Sequence, residues 1–401
     1  MRSLAVFITL LAAISVNGAH AASRFMALSD SAKISLITMG PGQEELYAAF
    51  GHSAFRVKDP INRIDLLFNY GVFNFNQPNF YLNFTKGKLY YELGIRPYER
   101  SIDYYFRYNR DIVEQELNLT GAEKQQLYDL LSINAMPDNK HYYYNYCFDN
   151  CATRIRDMMQ KLLGDQIVYD YTYAADSLTY RNLMDKYLGQ QQWGDLGIDF
   201  CLGSEIDEVS DGWGYMYMPE YLMAAFANAQ IISGDTTRQL VSETTIINKS
   251  APMPSAASPV SPLQVMIGIF LITGLLTHRG FKYGVSYKWI DYGLFGSTGL
   301  MSFLLIFLWV GTDHLSKYNF NLIWCTPLNL VFVYYLFRNQ LNTTLRYYLI
   351  SYVLCLFSLI LFREWIPQQL HMAFIPLVLA LALRSLYWII QIKQKTDQPT
   401  N

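Results

Sequence analysis

Little of this 401-residue chain is charged: 16% of residues, against 52% hydrophobic, with a formal net charge of −2 at pH 7. So near a balance gives a polyanion nothing to grip, which removes nucleic acid from the expected partners. So apolar a composition is also unlike an ordinary soluble chain and points to a membrane-embedded part. Cysteine is scarce, with five in all, of which Cys147, Cys151 and Cys201 precede the apolar C-terminal third. Three are too few for a disulfide scaffold, and an odd number cannot all pair within one chain. Pairing Cys147 with Cys201 would leave Cys151 free. Histidine is scarcer still: between residues 22 and 260 only His52 and His141 occur. No internal repeat is visible. The residue after Ala21 is alanine rather than cysteine, so the chain is not expected to be a lipoprotein itself.

What is present divides the chain. Arg2, the apolar run "LAVFITLLAAISV" and the small residues Ala19-His20-Ala21 form an export-signal pattern over 1–21. The C-terminal third holds apolar stretches at 262–277, 293–311, 323–337, 345–362 and 371–391, which predict five membrane helices. If residues 22–247 are exported, the inner loops and tail carry Arg279, Lys282, Lys288, Arg338, Arg346, Lys393 and Lys395. The outer loops carry only Lys317 and Arg363, so positive charge lies inside. The Ser/Pro/Ala-rich stretch 248–261 reads as a linker. The expected order is therefore signal peptide (1–21), periplasmic catalytic domain (22–247), linker (248–261), transmembrane domain (262–391) and cytoplasmic tail (392–401). That makes a multi-pass protein of a bacterial inner membrane.

Within the exported part, strands are expected over 33–40, from His52 onward, over 64–75 with a bulge at Gly71, and over 86–97. Thr120 followed by Glu123 predicts a capped helix to about residue 134. Further helices are expected in 151–163, 179–188 and 218–229. Strands and helices do not alternate regularly, so the class is α+β.

The chemistry concentrates in "NYCFDNCATRIRD". Ala152, Ile155, Met158, Met159, Leu162 and Leu163 recur at helical spacing, and Gly164 follows as a stop. Asp149 or Asn150 can cap the start. Cys151 then lies in the first turn, where unpaired N–H groups and the helix dipole favour the thiolate. A thiolate is a nucleophile, although a buried structural thiol is the plainer reading. Such a nucleophile needs a base, and His52 in "FGHSAFRV" leads over His141. Asn69, in "FNYG", is the expected residue to orient His52, with Asp65 as the alternative. Cys147, Cys151 and His141 lack the spacing of a zinc site, and no metal or cofactor is expected.

The segments "FGHSAFRV", "FNYGVFNF", "NYCFDNCATRIRD" and "GTDHLSKYNFNLIW" resemble the Lnb family of bacterial lipoprotein N-acyltransferases. The resemblance covers nearly the whole chain after the signal segment. The His-before-Cys order is also similar to circularly permuted papain-like enzymes such as lecithin:retinol acyltransferase, whose cysteine takes an acyl chain from a phospholipid. It implies a permuted papain-like exported domain followed by an all-α five-helix transmembrane bundle, with Cys151 and His52 catalytic. The implied partners are a membrane phospholipid and diacylglyceryl lipoproteins, joined through a Cys151 thioester. Substrate contacts are expected from Asp149, Asn150 and Arg154 beside the cysteine. Asp313, His314, Asn319 and Asn321 are expected to supply others at the outer membrane edge. Trp324, Trp365 and Trp388 are expected as interfacial anchors. A tethered cysteine peptidase or peptidoglycan amidase is the alternative enzyme, and a binding module with a buried Cys151 the non-enzymatic one.

Overall fold

The computed structural model describes residues 25–73, 76–251 and 258–396, so the expected signal peptide lies outside the described residues. Alternating apolar positions build the exported sheet. In Lys33–Met39 (β1), Ile34 and Leu36 point to one face, Ile37 and Met39 to the other, and all four are fully buried. A strand apolar on both sides needs cover on both faces.

The cover comes from the elements in between. His52–Asp59 (β2) and Ile64–Val72 (β3) follow, then Phe80–Thr85 (α1), Tyr90–Pro97 (β4) and Tyr98–Arg107 (α2). Ile112–Leu117 (β5), Gly121–Asn134 (α3), His141–Tyr143 (β6) and Cys151–Leu163 (α4) come next. Ile167–Val168 (β7), Tyr180–Leu188 (α5), Gln192–Cys201 (α6), Gly212–Tyr215 (α7) and Pro219–Asn228 (α8) lead to Gln230–Ser233 (β8), Thr236–Gln239 (β9) and Val241–Asn248 (β10). Seven strands form one antiparallel sheet in the order β10-β5-β1-β2-β3-β4-β6, and β7-β8-β9 form a small second sheet. On one face, α3, α4 and α8 bury Leu131, Ile155, Met159 and Phe226 against Leu36, Phe55 and Phe68. On the other, Tyr98 and Ile102 of α2 cover Ile37, Met39 and Leu67. The α+β class is thus seen directly. Thr120 and Glu123 cap α3 reciprocally, at 3.3 and 2.7 Å.

Beyond Ser258 the described residues hold five spans long and apolar enough to cross a membrane. Their helices are Pro262–Tyr283 (α9), Lys288–Gly311 (α10), Leu328–Phe337 (α11), Thr343–Leu361 (α12) and Phe374–Thr396 (α13). The first runs a turn and a half past its expected end. The third span covers Phe320–Phe337 but is interrupted: one turn, Phe320–Ile323, precedes Pro327 and α11. Trp324 and Trp388 retain 1% and 3% exposure, so they are core residues and not the expected interfacial anchors; Trp365 is open.

The loops after α10 and α12 meet the exported domain. Asn319 Nδ2 donates to Phe200 O at 2.8 Å, and Asn321 Nδ2 to Asp199 O at 3.0 Å. Gln368 Nε2 donates to Leu202 O at 2.9 Å, and Gly203 N to Leu315 O at 2.9 Å. Leu196 and Phe200 of α6 join the core of the bundle, with Phe200 5.9 Å from Trp324 and 5.8 Å from Phe374. The two domains therefore share a bonded seam.

Candidate active site

Helix α4 delivers Cys151 to the sheet. Asn150 adopts an extended backbone and its Oδ1 accepts from the Ala152 and Thr153 N–H groups, both at 2.9 Å. Its amide then donates to Tyr146 O and Tyr217 O, again at 2.9 Å. Every polar atom of the Asn150 side chain is thus spent inside the protein. Asn150 fixes the start of the helix, which corrects its expected role as a substrate contact. Cys151 is left as the first helical residue, 6% exposed.

Strands β2 and β3 bring the partners. His52 opens β2 opposite Met39, and its Nε2–H donates to Asn69 Oδ1 on β3 at 2.6 Å. That leaves Nδ1 free to face Cys151, whose charge does most to raise the His52 pKa. Burial alone would raise the Cys151 thiol, but the facing imidazolium, its hydrogen bond, and the backbone N–H groups of Ser53 and Ala152 outweigh it and lower the pKa. Burial alone would lower His52; the Cys151 charge, their hydrogen bond and the Asn69 bond raise it instead. The two shifts run in opposite directions, and both favour a thiolate–imidazolium pair. Asp65, the alternative to Asn69, is held by Arg56 at 2.7 and 2.8 Å.

The close approach of helix and sheet requires Gly71. It sits at φ +85°, where the pairing of β3 with β4 slips between Asn69 and Val72. A Cβ there would lie 3.2 Å from the Tyr144 ring and 4.0 Å from Cys151 Cβ. Tyr144 therefore borders the thiol, and burial, reinforced by the Cys151 charge, pushes its phenol well up.

Arg110 was not visible as a site residue in the sequence. It is buried, donates to Gly40 O at 2.8 Å and pairs with Glu44 at 3.2 Å. One terminal nitrogen, Nη2, has no hydrogen-bond partner among the described residues. Its charge acts on His52 against protonation.

The other expected residues scatter. Arg154 closes on Asp149 and stacks over the Tyr142 ring at 4.0 Å. This pair lines an open groove of about 680 Å³ with Tyr70, Phe148 and Lys161. Asp313 and His314 border a smaller cavity of about 130 Å³ with Gly87, Tyr144 and Tyr146, at the seam. Asn319 and Asn321 are buried in the seam itself and face backbone carbonyls, which corrects their expected substrate role. Cys147 and Cys201 are free thiols, so the pairing considered between them is not formed. Among the described residues, Asp185, Asp195 and Asp199 bring carboxylates within 4.8 Å of one another. Arg181 and His371 already face this set, at 2.5 Å from Asp199 and 3.4 Å from Asp195.

Comparison with known families decides the wider identity. Residues 24–186 match the Lnb N-terminal periplasmic domain, and residues 254–396 match the Lnb transmembrane domain. The chain belongs to the Lnb family. Comparisons with curated proteins and with solved structures gave no match. Lnb membership makes this, at family level, a membrane enzyme that modifies lipoproteins, with a periplasmic N-terminal domain and a C-terminal transmembrane domain.

Proposed function

We propose that the protein is a lipoprotein N-acyltransferase with Cys151 as nucleophile and His52 as its proton carrier, oriented by Asn69. The observation that carries this reading is the Cys151–His52–Asn69 line in a domain bonded to the outer end of a five-helix bundle. The exported domain is read as a circularly permuted papain-like fold, since His52 on an early strand precedes Cys151 at a helix start.

The Cys151 sulfur attacks an ester carbonyl of a membrane phospholipid. The S–C bond forms, the ester C–O bond breaks, and imidazolium His52 gives its proton to the departing lysophospholipid oxygen. The neutral α-amine of a diacylglyceryl-cysteine then attacks the thioester. The N–C bond forms, the C–S bond breaks, the thiolate leaves, and His52 takes the amine proton. The pair is restored and the lipoprotein becomes triacylated. The Ser53 N–H, which helps lower the Cys151 pKa, is suited to the oxyanion of both tetrahedral states, whereas the Ala152 N–H is already held by Asn150 Oδ1 at 2.9 Å. Asp313, exposed at the seam cavity beside Tyr144, has the charge to receive the incoming ammonium before it is deprotonated. Arg154, turned to Asp149, lines the larger groove with Tyr70 and Lys161.

Intact mass of the full-length protein purified from membranes tests the reading. A fatty-acyl adduct, cleaved by hydroxylamine and absent in Cys151→Ala, is expected. Cells whose only copy is Cys151→Ala should accumulate diacyl lipoproteins. Fully triacylated N-termini in such cells, with no other transferase present, refute the proposal. Altered cell-wall fragments without an adduct assign the protein to the peptidase or amidase class instead.

A further inference from the structure

Helix α1 is anomalous for an exported surface. Tyr81, Leu82 and Phe84 are 74%, 52% and 49% exposed on six consecutive residues. No carboxylate occurs between residues 66 and 91, and Lys86 and Lys88 follow the helix, both exposed. Apolar side chains beside lysines and without acids suit a phospholipid surface, where rings enter the acyl boundary and ammonium groups meet phosphates.

The position of α1 fits the same surface. Asp313 N donates to Lys86 O at 2.9 Å, and His314 Nε2 lies 3.1 Å from Phe84 O. Gly87, at φ +73°, lies so close that a Cβ would stand 2.6 Å from the His314 nitrogen. These partners follow directly on α10, so α1 is tied to the outer end of a membrane helix. Exposed Trp193 also donates to Val260 O at 3.0 Å, just before α9 begins.

From α1 a chain of rings leads inward. Phe84 lies 6.1 Å from Phe80, Phe80 6.4 Å from Phe73, Phe73 5.3 Å from Tyr91, and Tyr91 4.7 Å from Tyr144. Tyr144 borders Cys151. Tyr47, 62% exposed, flanks the route at 6.3 Å from Phe73.

We propose that α1 dips into the outer leaflet and that the ring series Phe84–Phe80–Phe73–Tyr91–Tyr144 is the track along which a phospholipid acyl chain reaches Cys151. The track deepens the acyltransferase reading and rests on it; the lipid contact of α1 does not. An apolar wall of this kind accepts a methylene chain without fixing its polar end. Lys86 and Lys88 hold the phosphate outside.

Two measurements on the full-length protein in phosphatidylethanolamine/phosphatidylglycerol nanodiscs test this. In the first, the bilayer contains phosphatidylethanolamine with a diazirine at one chain end, and crosslinks are mapped in Cys151→Ala. Crosslinks to residues 80–84 and to Phe73 or Tyr91 are expected, besides those to α9–α13. In the second, Cys151 acylation is followed with bilayer phospholipid and with a soluble short-chain ester. Tyr81→Asp/Leu82→Asp should reduce the phospholipid-to-ester rate ratio by about tenfold or more, the factor set by losing apolar burial. Crosslinks confined to α9–α13, or both rates falling together, overturn the proposal. If α1 is labelled but wild type forms no acyl adduct from either donor, the acyltransferase reading and its track fall while the lipid contact of α1 stands.

Discussion

Asn69 is the most informative residue to perturb, because its visible task is one 2.6 Å hydrogen bond to His52 Nε2. In the imidazolium form that the proposed mechanism uses, the bond is charge-assisted and worth about 1.5–3 kcal/mol. If that stabilisation is lost wholly from the transition state, Asn69→Ala slows Cys151 acylation by about 10- to 150-fold. A second effect has a definite sign. Asn69 is one of the groups that raise the His52 pKa, so without it the imidazolium loses its proton at lower pH. The alkaline limb of the rate profile then moves down in Asn69→Ala. In Asn69→Asp a carboxylate strengthens the same effect, and the limb moves up. Single-turnover acylation by a soluble ester, read by intact mass across pH, gives both quantities, with thermal melting as the control for folding. A rate within about twofold of wild type at unchanged Tm, or an alkaline limb that moves down in Asn69→Asp, refutes the orienting role.

Alkylation of Cys151 by iodoacetamide should have a pH midpoint below that of an ordinary thiol, and His52→Ala should raise it, because the facing charge is what lowers it. An unchanged midpoint in His52→Ala would contradict the ion pair. Asp291→Ala leaves Arg384 buried without its partner; the pair meets at 2.7 Å through both oxygens at 0% exposure, so the loss is about 3–5 kcal/mol and folded protein should vanish from detergent extracts. Asp291→Leu with Arg384→Leu should recover it, as measured by size-exclusion chromatography. Asp185 has its carboxyl pushed up to about 7 by burial, then by Asp199 and Asp195. The unfolded chain ionises it far lower, so stability falls as pH rises from about 4 to 7. Asp185→Asn should therefore raise the Tm at pH 8 by relieving on the order of 2 kcal/mol, and the gain should shrink on acidification.

Much of this was legible because local rules agreed. The α4 helix shows its apolar spacing, its stop at Gly164 and its polar entrance in one short stretch, so Cys151 fell at the first turn before any contact was known. His52 was legible through scarcity. Asn69 and Asp65 share one face of β3, so periodicity alone could not choose between them; the choice lies in distance along the strand, about 13 Å over four residues. Only the end near Gly71 meets Cys151, and Arg56 occupies the other. Asn150, Asn319 and Asn321 were misread because a polar residue in a motif looks the same whether it faces a ligand or a carbonyl. Apart from Tyr146 O beside Asn150, their carbonyl partners lie 67 to 122 residues away in the chain. Arg110 gave no local sign at all, since its partners Gly40 and Glu44 belong to a distant loop.

The misread asparagines explain why the enzyme needs more than a tether. A tether alone would not fix the position of the thiol relative to the bilayer. Here α6 is clamped from the membrane side by side-chain amides that bond to its Asp199 and Phe200 carbonyls and to that of Leu202 just beyond its end. Backbone acceptors do not depend on the identity of the α6 side chains, so the clamp fixes position while the α6 sequence remains free to pack. The same loop that clamps α6 also binds the end of α1, through Asp313 and His314. One membrane loop, residues 312–324, therefore sets both the height of the catalytic domain and the place where α1 meets lipid. Asn319→Ala with Asn321→Ala should then disturb phospholipid turnover more than reaction with a soluble ester, although neither residue touches a substrate. Equal loss on both donors would mean that the clamp serves folding alone.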